Sequence, residues 1–274
     1  MQQEYPEFGE PESLTEETAI AKLLQKEDLG QRYYAAWWLG RFRVATPAAI
    51  DALLLALEDS EDRAPDGGYP LRRNAARALG KLGDKRAIEP LIRCLDFPDV
   101  YVREAAAQSL ETVGDASCIQ PLLKLLAGGV AEAKQVPGKP HLVQPYEAII
   151  EALGTLGATE AQEEIEPFLK HRVPKVQYAA ARAMYQLTGN SVYGDILVKA
   201  LAGDNLQLRR SALIDLGAIG YYPAGEPIFN TLAENSMKLI ALRGLLEFQL
   251  TKQSEITALS EESIKLMELM DGLL

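Results

Sequence analysis

The sequence predicts an all-α protein, folded as an α-solenoid (α/α superhelix) of about seven helix-pair repeats of about 31 residues each. One segment recurs along the chain, each copy has the apolar spacing of a helix pair, and no segment requires a strand. Residues 71–83 (LRRNAARALGKLG) and 102–114 (VREAAAQSLETVG) show the shared pattern. Such recurrence is typical of stacked repeats, whose members each contact only their neighbours.

A landmark leucine or methionine gives the register of the repeats. The landmarks are Leu39, Leu79, Leu110, Leu153, Met184, Leu216 and Leu245, separated by 40, 31, 43, 31, 32 and 29 residues. The two long separations predict insertions near residues 60–68 and 128–140. Both insertions follow a second helix and precede a first helix, so they should project from one edge of the solenoid. That edge is a candidate binding edge, although surface insertions are also tolerated without function.

Each repeat contains two amphipathic helices. In the second copy, Leu71, Ala75, Leu79 and Leu82 lie on one helical face, and a turn at Gly83 leads into a second apolar helix. One pair cannot bury its apolar face alone, so the repeats should stack as a single domain over residues 1–274. Residues 29–250 form the repeats, between an N-terminal cap (1–28) and a C-terminal cap helix (251–274).

The two caps have their own signals. The pattern from Ser13 to Glu16 resembles a capping box and predicts a first helix that ends near Glu27. Residues 260–273 predict a last amphipathic helix. Its apolar face either closes the stack or meets a partner, and comprises Ile264, Leu266, Met267, Leu269 and Met270.

Composition excludes several classes of function. The formal charge of −11 disfavours nucleic acid as a partner. No apolar run approaches the length of a membrane span, and the acidic first ten residues do not resemble a signal peptide, so we expect a cytoplasmic protein. Cys94 and Cys118 lack CxxC spacing and the two histidines stand far apart, so no metal site is expected.

The register also predicts which side chains share the concave face. One row across the repeats contains Tyr33, Arg73, Glu104, Glu147, Tyr178, Arg210 and Leu239. A second row, one helical turn later, contains Trp37, Arg77, Gln108, Glu151, Arg182, Ile214 and Arg243. Aromatic and arginine side chains suit a flat conjugated ligand with acidic arms. They suit a protein partner equally well.

A third row has a structural interpretation. It contains Arg32, Arg72, Arg103, Tyr146, Gln177, Arg209 and Lys238. An arginine near the start of each first helix can pair with aspartates in neighbouring turns and link the repeats. Trp38 aligns with the core position Ala78, so Trp37 is the better site candidate. The sequence contains no Ser-His-Asp ordering, glycine-rich phosphate loop or HExxH motif.

Five segments resemble a known family of HEAT-like proteins. They are residues 33–40 (YYAAWWLG), 69–80 (YPLRRNAARALG), 140–148 (PHLVQPYEA), 215–221 (DLGAIGY) and 233–247 (AENSMKLIALRGLLE). YYAAWWLG and HLVQPYEA are the more specific, because they fill positions that a generic HEAT-like repeat leaves free. In these segments the chain resembles the alpha (E) subunits of the E/F-type phycobilin lyases, which are HEAT-repeat proteins. The resemblance extends from about residue 29 to residue 247.

The resemblance implies a carbon–sulfur lyase that acts as a heterodimer with an F-type subunit. Such a lyase binds the open-chain tetrapyrrole phycocyanobilin and attaches it by a thioether bond to a cysteine of apo-alpha-phycocyanin. The bond forms at the ethylidene group of ring A, and no metal or separate cofactor is implied. Two other functions remain open: a non-catalytic chaperone or degradation adaptor of the phycobilisome, and a generic HEAT-repeat protein-binding scaffold.

Register and resemblance together give a candidate site. The bilin rings are expected to stack near Tyr33 and Trp37 while Arg73 or Arg77 engages a propionate. His141, Gln144 and Tyr146 follow the second insertion on the same edge, and the bilin-binding set is Tyr33, Trp37, Arg73, Arg77, His141, Tyr146, Tyr178 and Arg210. A carboxylate near the pyrrole nitrogens would favour the protonated, more electrophilic bilin. The catalytic candidates are Glu147 and Asp215, with Glu151 as a third, although a structural hydrogen bond is the favoured role of core-aligned Asp215.

Overall fold

A computed structural model of the chain describes residues 14–252 and 259–274. Within these ranges the α-helices are α1 (Glu16–Leu24), α2 (Leu29–Arg41), α3 (Pro47–Leu57), α4 (Pro70–Leu82), α5 (Ile88–Cys94), α6 (Val100–Val113), α7 (Ile119–Lys124), α8 (Gly129–Glu132), α9 (Tyr146–Thr155), α10 (Gln162–Ile165), α11 (Pro174–Thr188), α12 (Ser191–Ala200), α13 (Leu206–Ile219), α14 (Gly225–Asn230), α15 (Asn235–Thr251) and α16 (Glu261–Asp271). One isolated antiparallel bridge, between Gln135 and Leu142, is the only extended pairing in the described residues.

The prediction of an all-α, HEAT-like α-solenoid is confirmed. The first helices of the repeats are α2, α4, α6, α9, α11, α13 and α15, and each carries one landmark residue. Every landmark side chain is buried, with at most 4% of its surface exposed. The described residues divide into two compact units, one within Met1–Val113 and the other within Gly114–Leu274. The assignment of the whole chain to one domain remains a prediction.

Glycines allow the first helices to approach each other closely. In the first unit α4 packs against both α2 and α6. A Cβ atom added at Gly40 of α2 would lie 2.7 Å from Ala78 Cα, and one at Gly80 would lie 2.7 Å from Ser109 Cα. The second unit has the same feature, because a Cβ at Gly154 would lie 2.6 Å from Ala183 Cα.

We therefore expect Gly40→Ala to lower the free energy of unfolding by about 1–3 kcal/mol, because the added methyl group meets backbone atoms of α4. Gly30→Ala, in the same helix, is the control. A Cβ at Gly30 meets only the Asp28 carboxylate, at 3.3 Å, so this change should be neutral or stabilising. Urea denaturation of both variants measures the difference, and equal stabilities would contradict the proposed close approach.

The third row of the register links neighbouring helices, as expected. Arg32 is buried; its Nη2 lies 2.8 Å from Asp59 Oδ2 and its Nε donates to Leu23 O at 3.0 Å. Arg72 Nε donates to Asp59 O at 3.2 Å, and Lys238 Nζ to Phe229 O at 2.9 Å. Most partners are thus carbonyl oxygens at helix ends rather than aspartates. These carbonyls lack helical partners and carry partial negative charge, which a buried cation satisfies.

The N-terminal prediction needs correction. The N-cap of α1 is Thr15, whose hydroxyl accepts from Thr18 N while the Thr18 hydroxyl accepts from Thr15 N. The helix ends at Leu24 rather than near Glu27. A threonine therefore takes the place of the expected Glu in the capping box, because both side chains carry an acceptor oxygen. Ser13 lies outside the described residues, as do residues 253–258 of the predicted C-terminal cap.

The last helix and the insertions follow the sequence more closely. α16 begins after the N-cap Ser260, whose hydroxyl accepts from Ser263 N at 3.2 Å. The second insertion contains the short helix α8 and is held by buried His171. Val173 N donates to His171 Nδ1 at 3.1 Å, so the ring proton lies on Nε2 and reaches Ala133 O at 3.0 Å.

None of the helices in the described ranges combines the length and hydropathy that crossing a bilayer requires.

Candidate functional site

Helix α2 exposes three aromatic rings. The Asp28 carboxylate caps its start by accepting from Gln31 N at 3.0 Å. Tyr33, Tyr34 and Trp37 are 40%, 50% and 42% exposed, and the rings of Tyr34 and Trp37 stack at 5.5 Å with an interplanar angle of 27°. Trp38 is half-buried and contacts Phe42, with 4.9 Å between ring centroids. Trp37 thus faces outward and Trp38 is the more covered of the two, as the register predicts.

Helix α4, which packs against α2, carries Arg73 and Arg77. Arg77 lies near enough to Tyr33 to interact with it electrostatically, whereas Arg73 Cζ lies 5.9 Å from the centroid of the Tyr101 ring on α6. Asn74 Nδ2 donates to Tyr33 O at 3.3 Å and ties α4 to α2. Among the described residues no carboxylate lies within ion-pair distance of Arg73 or Arg77, and the buried Nε of Arg73 has no hydrogen-bond partner. Partial burial, and next the Arg73 cation, lower the pKa of Arg77. We call Tyr33, Tyr34, Trp37, Arg73 and Arg77 the aromatic–arginine patch.

The aromatic–arginine patch combines two kinds of recognition. Exposed aromatic rings stack on flat conjugated ligands, and guanidinium groups bind carboxylates through two parallel hydrogen bonds. Besides the effect of burial, the Arg73 cation lowers the pKa of Arg77 and the Glu104 carboxylate raises it, so an incoming carboxylate would likewise favour the two cations. The patch therefore suits a conjugated ligand that carries carboxylate arms. Four residues of the predicted set, Tyr33, Trp37, Arg73 and Arg77, lie on the adjacent helices α2 and α4, and their contact with one ligand stays a prediction.

In the second unit, Arg182 of α11 lies between two carboxylates. Its Nη1 is 3.8 Å from Glu151 Oε2 on α9 and 3.6 Å from Asp215 Oδ1 on α13. The side chains of Glu151, Arg182 and Asp215 are 17%, 12% and 7% exposed. Arg182 Nη2 also donates to Thr155 Oγ1 at 3.3 Å. We call Glu151, Arg182 and Asp215 the buried triad; it links three consecutive first helices.

Three of the predicted site residues have partners within the protein. Asp215 is buried against Arg182 and serves the packing of α11 and α13, the role favoured for it from its core alignment. Tyr146 is 3% exposed with its ring centroid 5.4 Å from that of Phe168, so it is a core residue. Arg210 of α13 forms an exposed ion pair with Glu234, the N-cap residue of α15. The hydrogen bond from Arg210 lowers the pKa of Glu234 to about 2.

The remaining candidates stay predictions. His141 is half-buried, and its Nδ1 lies 2.9 Å from Leu142 O. Tyr178 is half-buried and packs against the core of the second unit, and burial raises its pKa. Glu147 is half-buried near the start of α9. Each keeps part of its surface accessible to a ligand.

Comparison with known proteins identifies the family. The family model for HEAT repeats matches residues 63–135 and 145–217, and that for the PBS lyase HEAT-like repeat matches residues 31–59. The phycocyanobilin lyase subunit alpha of Nostoc sp. is 61% identical over 99% of this chain and 98% of its own length. The subunit of the same name from Microchaete diplosiphon is 65% identical over 95% of this chain and 90% of its own.

The chain belongs to the phycocyanobilin lyase alpha-subunit family. A solved structure of the complex of CpcE and CpcF of phycocyanin lyase from Nostoc sp. contains a chain that matches it with a TM-score of 0.89 and 60% identity over 100% of both chains. The bilin biosynthesis protein PecE of Nostoc sp. is 45% identical over 88% of this chain and 90% of its own.

For this member of the alpha-subunit family, sequence reasoning missed two features of the candidate site. Tyr34 lies in neither predicted row, yet its spacing of three residues from Trp37 is the signal that would have paired the two rings. The second feature is the ion pair between Arg182 and Asp215. The register placed Arg182 in the second row but did not pair it with Asp215, which lies on a neighbouring helix. No group of histidine, cysteine and acidic side chains suited to hold a metal occurs in the part of the chain that the structure describes.

Proposed function

We propose that this chain is the alpha subunit of a phycocyanobilin lyase, which acts with an F-type subunit to attach phycocyanobilin to a cysteine of apo-alpha-phycocyanin. The observation that carries the proposal is the 61% identity, over 99% of this chain, to a phycocyanobilin lyase subunit alpha. The exposed aromatic–arginine patch supports it independently, because its chemistry fits a conjugated dicarboxylate. We place the protein in the cytoplasm and assign it no metal or further cofactor.

The proposed reaction is an addition. The acceptor's cysteine sulfur bonds to the ethylidene carbon of ring A, the exocyclic double bond is consumed, and the thiol proton ends on the tetrapyrrole. No oxidant or reductant is required. The lyase therefore contributes proximity and orientation, which hold the ethylidene carbon where the thiol can reach it. Stacking on Trp37 and Tyr33 would fix the ring plane, and Arg73 and Arg77 would fix the propionates.

The thiols of the chain itself take no part in this scheme. Cys94 and Cys118 are 2% and 0% exposed, and burial raises the pKa of Cys94, which disfavours the nucleophilic thiolate. The bilin would thus be held without a covalent bond to this subunit. Glu147 remains the proposed carboxylate that favours the protonated bilin.

Reconstitution tests the proposal. The purified chain is mixed with phycocyanobilin, an F-type subunit and apo-alpha-phycocyanin, and covalent transfer is read from the absorbance of denatured acceptor. We expect transfer that requires both subunits. Binding to the acceptor without transfer would instead indicate a phycobilisome chaperone or adaptor. If the chain binds none of the bilin, the F-type subunit and the acceptor, a generic protein-binding scaffold would be the remaining interpretation.

The two neighbouring tryptophans provide a sharper test. Trp37→Ala should keep the melting temperature and reduce bilin binding, since an aromatic stacking partner contributes about 0.5–1.5 kcal/mol beyond its buried area. Trp38→Ala should lower the melting temperature instead. Because Trp38 is only half-buried, its loss should fall below the roughly 3–5 kcal/mol of a fully buried tryptophan. Normal transfer by Trp37→Ala would remove Trp37 from the site.

A further inference from the structure

The first insertion of the repeat pattern forms a compact loop before α4. Ala64 N donates to Gly68 O at 2.9 Å, and Gly67 N donates to Ala64 O at 2.8 Å. Arg63 Nη2 donates to Gly67 O at 2.9 Å, and Arg63 Cζ lies 4.4 Å from the centroid of the Tyr69 ring. These contacts tie the loop to Tyr69, the residue that precedes α4.

A cleft lies between this loop and the start of α6, and we call it the Tyr101 cleft. Its volume is about 90 Å³. A cavity of about 150 Å³ binds one benzene ring, so the Tyr101 cleft has room for a single five-membered ring but not for a whole tetrapyrrole. The residues that line it include Asp66, Gly68, Tyr69, Arg73, Asp99 and Tyr101.

Two aromatic rings line the Tyr101 cleft. Tyr101 is 40% exposed, and its ring centroid lies 5.9 Å from Arg73 Cζ. Tyr69 is half-buried, with its ring centroid 4.8 Å from that of Phe97. The Asp99 carboxylate holds the backbone at Tyr101 by accepting from Tyr101 N at 2.7 Å. Rings held in this way offer flat faces on which another conjugated ring can stack.

The polar groups of the Tyr101 cleft include a donor and acceptors. The Arg73 guanidinium supplies N–H donors and forms no ion pair within the described residues. Asp66 Oδ1 accepts from Gly68 N at 3.1 Å, and Asp99 Oδ2 would lie 3.5 Å from a Cβ added at Gly68. Two carboxylates beside one glycine oppose a third carboxylate. They suit a neutral ring whose carbonyl oxygen faces the arginine and whose N–H group faces a carboxylate.

We propose that the Tyr101 cleft seats a terminal lactam ring of the bilin, ring D, while the other rings extend towards the aromatic–arginine patch. This inference rests on the proposed function, because that function supplies the ligand. Each end ring of an open-chain tetrapyrrole is a lactam, with a carbonyl group next to an N–H group. The guanidinium of Arg73 would donate to the carbonyl oxygen, and Asp99 or Asp66 would accept from the N–H group.

Ring A is the less suitable occupant of the Tyr101 cleft. Its ethylidene carbon must stay open to the thiol of the acceptor, whereas a ring within the cleft is covered. The propionates would remain outside the cleft, near Arg77 and the other N–H donors of Arg73, because one guanidinium carries five such donors. The first insertion, singled out by the repeat register as part of a candidate binding edge, thereby gains a ligand contact.

The test compares the affinities of phycocyanobilin and its dimethyl ester, in which both propionates are masked. Absorbance titration measures them on the full-length chain with an F-type subunit present. Gly68→Leu fills the cleft and removes no hydrogen bond, because the bonds of Gly68 are made by its backbone. Its φ lies outside the left-handed region, so a side chain causes no strain there. Pro65→Leu is the matched control, since Pro65 is exposed in the same loop and does not line the cleft.

We expect Gly68→Leu to weaken the binding of both ligands at least tenfold and by the same factor, while Pro65→Leu changes neither affinity. Arg77→Ala should instead weaken the binding of the free acid alone. If Gly68→Leu does not fold, Tyr101→Leu is measured in its place, with the same expectation for both ligands. A small thiol such as mercaptoethanol should still add to the ethylidene group of the bound bilin.

Three results would overturn the inference and leave the proposed function intact. The first is wild-type affinity for phycocyanobilin in Gly68→Leu. The second is a loss seen with the free acid but not with the ester, because the cleft would then hold a propionate. The third is an ethylidene group that wild type protects from the thiol and Gly68→Leu does not, which would place ring A in the cleft. Absence of binding of either ligand by wild type would count against the proposed function itself.

Discussion

Replacement of Arg182 by methionine should lower the free energy of unfolding by about 3–5 kcal/mol, because it leaves two largely buried carboxylates without their shared cation. Glu151 and Asp215 lie 3.8 and 3.6 Å from the guanidinium, on the helices to either side. Chemical denaturation at neutral pH measures the loss. The molecules that remain folded should still transfer bilin, since the buried triad contributes to packing rather than to bilin binding.

The control for this experiment is Arg243→Met. Arg243 forms an exposed pair with Glu247 one turn later on α15, with 2.7 Å between Nε and Oε1. Such surface pairs contribute about 0.3–0.5 kcal/mol. Combining Arg182→Met with Glu151→Gln and Asp215→Asn should restore part of the lost stability, because it removes the stranded charges. An Arg182 variant as stable as the Arg243 control would show that the buried triad does not join these helices.

The double variant Arg73→Ala/Arg77→Ala should weaken phycocyanobilin binding at least about a hundredfold, if both arginines engage propionates. Each hydrogen bond to a charged group contributes about 1.5–3 kcal/mol, and 1.4 kcal/mol corresponds to a tenfold change in affinity. Stability should change little, since the substitution removes a like-charge pair four residues apart on α4 along with the contact of Arg73 with the Tyr101 ring. Absorbance titration of the bilin measures the effect.

Arg93→Ala serves as the control for the arginine pair. Arg93 is exposed on α5 of the same unit and pairs with Glu58 at 2.9 Å, so it tests the general loss of positive charge. Arg73→Lys/Arg77→Lys should restore only part of the affinity, because lysine keeps the charge but lacks the bidentate geometry. Unchanged bilin affinity in the alanine double variant would remove the propionate role from α4.

The sequence was sufficient for the repeat register because each repeat interacts with its neighbours in the same way. Leu39, Leu79 and Leu110 are all fully buried at equivalent positions. The prediction that the third row links the repeats held for the same reason, but its expected aspartate partners were mostly wrong, because Arg32, Arg72 and Lys238 donate to backbone carbonyls near helix ends. Tyr33 and Trp37 on α2, and Arg73 and Arg77 on α4, occupy matching positions of two adjacent first helices for the same reason.

By itself, the sequence determined the all-α solenoid, the landmarks, the insertions and the outward direction of Trp37. Only the tertiary structure decided which charged side chains are paired and which side chains are buried. Asp215 faces the Arg182 cation, and Arg210 faces the Glu234 carboxylate. The ring of Tyr146 is covered by Phe168. The exposure of Ile264 likewise depends on which side of α16 meets α14. Repeat position fixes the face of a helix that a residue occupies, whereas burial and charge pairing depend on the particular side chains that a neighbouring helix places opposite it.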